Sequence, residues 1–82
     1  MTNTNTTNLD QLPVEYAKTS TLRVGDIIRE GNRFSGYLYW PITSIRTERS
    51  AAGAKVWRIA RPESRGPGNI YGASFSFVRV IK

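Results

Sequence analysis

All seven glycines of this chain fall after Thr21, and with three of its four prolines they cut residues 21–82 into short segments. Within the segments, β-branched and aromatic residues alternate with polar ones. Short runs of period two suit strands and cannot sustain the periodicity of an amphipathic helix. Five strands are expected, at residues 27–30, 37–46, 56–60, 70–77 and 78–81, with loops at 31–36, 48–55 and 61–68. In 37–46, Leu38, Trp40 and Ile42 take one face, and Tyr37 and Tyr39 the other. Ile45 falls out of that phase, which predicts a bulge or sharp bend near 41–44. Trp40, Trp57, Phe75 and Phe77 fall in phase with aliphatic neighbours and are expected in the core.

The start of the chain differs. Residues 1–12, MTNTNTTNLDQL, hold two leucines and one methionine among Thr, Asn, Asp and Gln. So little apolar surface does not offset the entropy of ordering. Residues 1–20 are therefore expected to be a disordered polar tail, with 12–18 the one candidate for a turn or two of helix. Deleting 1–12 should leave the fold intact. The folded unit, residues 21–82, buries one core with a thin margin, so self-association or a bound ligand would help it.

Cysteine and histidine are both absent. No disulfide or thiolate is available, and the commonest general base and transition-metal ligand are missing. Serines lack a histidine to activate them, and Gly66-Pro67-Gly68-Asn69 has neither the spacing nor the lysine of a phosphate-binding loop. No catalytic residue, metal or cofactor is expected. No apolar run approaches the roughly 18 residues of a membrane span, and the N-terminus lacks a secretory pattern. The expectation is a cytoplasmic protein that makes no use of a membrane.

Net charge is +6, and residues 21–82 carry 11 basic and four acidic side chains, a balance of +7. Nine of the 12 basic residues are Arg, the planar cation suited to phosphate and base recognition. A basic domain of this size points to an anionic partner. Arg46 and Arg58 bracket one expected hairpin and would lie near each other if its strands pair. Arg61 and Arg65 occupy the next loop. Tyr37 and Tyr39 face away from the core side of their strand. These six side chains are the candidate site, with phosphate contacts from the arginines and stacking from the tyrosines.

Val24-Gly25-Asp26 before the first strand, the hairpin order that follows, and the terminal Phe77-Val78-Arg79-Val80-Ile81 resemble an SH3-like barrel. The fold class is thus all-β, a small five-stranded SH3-like barrel over residues 21–82. Asn69-Ile70-Tyr71 is similar to the pore segment of the plasmid-borne type II dihydrofolate reductases, and Gly25-Asp26 to their early Gly-Asp. That resemblance implies a pore-forming oligomeric reductase. The sequence departs from it at Asn69, where the family has glutamine, at Glu30, where it has a basic residue, and after Tyr71, where no proline follows.

Charge and aromatics favour another reading: a small non-enzymatic accessory or regulatory protein, of a phage or mobile element, that binds DNA or RNA. The alternative is an inhibitor or adaptor that sets the same Arg/Tyr surface against an acidic protein.

Overall fold

The computed structural model describes residues 9–82. It is all-β, with seven strands in two sheets that do not close on each other. The strands are β1 (Val14–Lys18), β2 (Ile27–Asn32), β3 (Gly36–Pro41), β4 (Ser44–Arg49), β5 (Lys55–Ala60), β6 (Asn69–Gly72) and β7 (Ser76–Val80). One sheet has the order β1-β7-β2-β3 and the other β4-β5-β6. Short 3-10 turns occupy Leu9–Gln11 and Thr19–Thr21, and among the described residues there is no α-helix.

Seven strands stand where the sequence reading expected five, and two regions account for the difference beyond the bend in 37–46. Residues 12–18 form no helical turn; Val14–Lys18 is a strand paired along its length with β7, from Val14↔Val80 to Lys18↔Ser76. The tail expected over 1–20 therefore gives way to sheet by Val14, and its residues 1–8 lie outside the described residues. The strand expected over 70–77 is broken: Phe75 N–H donates to the carbonyl of Gly72, closing a turn between β6 and β7.

The expected bend at 41–44 is present and joins the sheets. Ile42 is 1% exposed. Its N–H donates to Asp26 O and its carbonyl accepts from Gly25 N–H, both at 2.9 Å, while Thr43 N–H donates to Ala60 O. One turn of chain thus leaves β3, ties itself to the start of β2, and enters the second sheet beside β5. At the other end of β2–β3, Asn32 Oδ1 accepts the N–H groups of Phe34 and Ser35 at 2.8 and 2.9 Å, the side-chain turn that asparagine favours.

Ala17, Leu22, Ile28, Trp40, Ile42, Ile59 and Phe77 form the core, with Ile45, Trp57 and Tyr71 packed against it. Two expected core rings sit further out. Trp57 is half-buried under the Lys55 ammonium, and Phe75 is 49% exposed. The buried Thr19 is satisfied by donating both its N–H and its hydroxyl to Phe75 O.

Gly68 is where the backbone approach is closest. Its φ is +97°, and a Cβ there would lie 2.1 Å from the carbonyl oxygen of Ile59. Gly66 has a similar φ of +95° but open space around it. Gly68→Ala should lower stability by at least about 2 kcal/mol, since strain and overlap add. Gly66→Ala should show only the backbone strain, about 1 kcal/mol. Urea midpoints of the two variants check this, and equal losses would show that the β5 contact at Gly68 does not hold.

Candidate functional site

Arg46 and Arg58 lie opposite each other in the β4–β5 ladder, as expected, but an acid stands between them. Glu48, two residues along β4, accepts from Arg58 Nε at 2.7 Å and Arg58 Nη2 at 3.0 Å, and from Arg46 Nη2 at 3.2 Å. Arg58 Nη1 donates to Gly68 O at 3.0 Å. The guanidinium of Arg58 therefore spends its fork within the fold. Its hydrogen bonds to Glu48 hold it charged against the cost of burial and draw the Glu48 carboxyl below the ordinary carboxylate range.

Arg61 is engaged on three sides. Nη1 donates to Glu30 Oε1 at 2.5 Å, Nε donates to Glu63, and the guanidinium lies over the Trp40 ring, 4.6 Å from its centroid. Burial works against its charge, and Glu63 and Glu30 outweigh it. The fourth candidate, Arg65, is exposed in the 61–68 loop and meets no carboxylate among the described residues. A further arginine that sequence reasoning did not single out, Arg79, reaches Glu15 Oε2 at 2.8 Å, Asp26 Oδ2 at 3.2 Å and Thr21 O at 3.3 Å. It stitches β1 and the loop before β2 onto β7.

These pairs predict acid sensitivity. Glu48 is drawn down first by the Arg58 hydrogen bond, and Glu63 first by its own backbone N–H and then by Arg61. A carboxylate whose folded pKa lies below its unfolded value contributes stability that is present above the unfolded value and lost as pH falls through the folded one. The melting temperature should hold from pH 8 to pH 5 and decline below about pH 4. Glu48→Gln should remove part of that decline, and an identical acid limb in the variant would show that this pair does not titrate with folding.

Among the described residues Arg23, Arg29, Arg33, Arg49 and Arg65 meet no carboxylate, and two of them, Arg29 and Arg33, stand against rings on the β2–β3 hairpin. Arg29 on β2 has its guanidinium 4.1 Å from the centroid of Tyr37, and Arg33 at the turn lies 5.2 Å from that of Phe34. Phe34 is 87% exposed. Tyr37 is exposed too, and Tyr39, half-buried, sits opposite Arg29 in the ladder. Of the two candidate tyrosines, Tyr37 thus stands beside a cation that no acid among the described residues engages. Phe34 and Arg33 were missed because they lie in a Gly/Asn/Ser loop; the available signal was an apolar ring with no strand to bury it.

Behind the hairpin the β2–β7 ladder ends early. β2 and β7 pair only through Ile28↔Arg79 and Arg29↔Val78. Beyond that the strands diverge around a cleft of about 190 Å³ lined by Glu30, Trp40, Tyr71, Phe75, Ser76 and Phe77. Tyr71, Phe75 and Phe77 pack ring to ring with centroids 4.7–5.1 Å apart.

Among the described residues, no cluster of acids is placed to hold a metal ion, and no helix is long and apolar enough to cross a membrane. No protein-family model matches the chain, and neither a curated protein nor a solved structure matches it significantly.

Proposed function

We propose that this chain is a non-enzymatic nucleic-acid-binding protein, built as an SH3-like barrel whose two sheets stay unclosed, that grips a strand with its β2–β3 hairpin. The observation that carries this reading is the pairing of Arg29 with Tyr37 and of Arg33 with Phe34, two cations without carboxylates among the described residues, each against an exposed ring. Guanidinium groups left free of acids are available to phosphates. Exposed rings beside them supply stacking faces for unpaired bases, or a wedge between stacked ones. The net charge of +6 supplies the attraction that brings an anionic strand to this surface.

Relative to the sequence-based expectation, the site moves. Tyr37 stays, with Tyr39 beside it. Arg46, Arg58 and Arg61 serve the fold through Glu48, Glu30 and Glu63, and Arg65 remains available for a phosphate. The barrel assignment draws support from the bent β3–β4 segment that passes from one sheet to the other at Ile42.

The test is a titration of labelled single- and double-stranded oligonucleotides with the full chain at several salt concentrations. Saturable binding that weakens with salt is expected. No binding at about 50 mM salt, where phosphate contacts are strongest, overturns the reading.

A further inference from the structure

We propose that the cleft between β2 and β7 is a base pocket that receives one nucleobase of the bound strand and prefers guanine; this rests on the nucleic-acid reading above. The cleft exists because the β2–β7 ladder stops after two residue pairs, leaving Glu30 and Ser76–Phe77 apart where a continued ladder would have joined them. Its walls are Trp40 and the Tyr71, Phe75 and Phe77 cluster. Phe75, at 49% exposure, is an aromatic ring left half in solvent beside them. A volume of about 190 Å³ falls short of the roughly 300 Å³ from which clefts take drug-sized ligands. It suits a single planar ring system.

The polar groups narrow the choice. Glu30 Oε1 accepts from the Trp40 indole N–H and from Arg61, and Oε2 accepts nothing from the described residues. Glu30 lines the cleft, and a carboxylate oxygen there is an acceptor for a donor edge. Guanine presents two donors side by side, N1–H and the N2 amino group. Adenine and cytosine present an amino group beside an unprotonated nitrogen, and uracil an N–H between two carbonyls; both arrangements set an acceptor against the carboxylate.

An aromatic cleft with a carboxylate would also suit a methylated ammonium ion. Here Arg61 already covers the face of Trp40 and takes Glu30 Oε1. The chain supplies its own cation, and its positive charge repels another.

The experiment is a titration of the isotope-labelled full chain with the 5′-monophosphates of guanosine, adenosine, cytidine and uridine, followed by NMR to about 10 mM ligand at about 50 mM salt. The Trp40 indole N–H and the Phe75 and Ser76 signals should move. The guanosine nucleotide should bind about tenfold or more tighter than the uridine nucleotide, the difference made by one charge-assisted hydrogen bond. Glu30→Gln, which keeps an oxygen for the indole, should abolish that preference. Phe75→Ala, at a half-exposed ring, should weaken all four by about fivefold or more. Equal affinity for the four nucleotides, no shift at Trp40, shifts confined to Phe34 and Tyr37, or unchanged affinity in Phe75→Ala each overturns the pocket. If oligonucleotides still bind, the hairpin reading survives that result; if they do not, the hairpin reading fails on its own test.

Discussion

Trp40→Ala should destabilise this protein by about 3–5 kcal/mol, the range for emptying a large aromatic site in a core. Trp40 is 5% exposed and belongs to the cluster that also holds Ile28, Ile42 and Phe77. It sits opposite Ile28 in the β2–β3 ladder. Truncation removes its transfer free energy and opens a cavity beside a cleft already present. It also takes the indole donor from Glu30 and the ring from beneath Arg61. In a domain of this size each kcal/mol lowers the melting temperature by about 4–8 °C, so the variant should melt tens of degrees lower. Trp57→Ala should cost less, about 1–2 kcal/mol, because Trp57 is only half-buried. Urea unfolding followed by circular dichroism measures both. A Trp40→Ala variant as stable as the parent would show that β3 does not bury this ring against the core.

What the sequence made legible here is local, and what it hid is long-range. The bend at Ile42 could be read because Ile45 breaks the alternation set by Leu38 and Trp40. β1 could not. Val14 to Lys18 is a mixed run that tolerates several conformations, and it becomes a strand because β7 offers it an edge more than 55 residues later in the chain, as in the Lys18↔Ser76 pair. The turn before β7 was hidden differently: Ala73, Phe75 and Phe77 keep a strand-like alternation straight through it. The cleft follows from that turn and from the early end of the β2–β7 ladder, neither of which leaves a local mark.

The site shows the same division. The approach of Arg46 to Arg58 follows from hairpin pairing. Their neutralisation was also open to reading, since Glu48 shares a face with Arg46 and lies diagonally across from Arg58. The Arg61–Glu30 pair was not, because it spans 31 residues between a loop and a strand. Counting arginines therefore placed the candidate surface on 46–65, whereas the arginines that lack carboxylates and stand against exposed rings, Arg29 and Arg33, point to the hairpin.

That relocation gives the second large expectation, a division of labour between charge and rings in strand binding. Arg29 and Arg33, each neutralising one phosphate of a single strand, would give log affinity a slope of about −1.4 against log salt, so a fourfold rise in salt weakens binding about sevenfold. Arg65, if it reaches a third phosphate, steepens this. Arg33→Gln should flatten the slope by about 0.7. Phe34→Ala should weaken binding by about 1–3 kcal/mol, roughly 5–150-fold, with the slope unchanged, because stacking releases no counterions. Stability should hardly change, since Phe34 is 87% exposed. Arg58→Gln is the control: Glu48 already neutralises that guanidinium, so it should lower stability and leave the slope alone. Fluorescence anisotropy of a labelled single strand at four salt concentrations gives slope and affinity together. A flattened slope in Arg58→Gln, with the hairpin variants unaffected, would return the binding surface to β4–β5 and overturn the assignment to the hairpin.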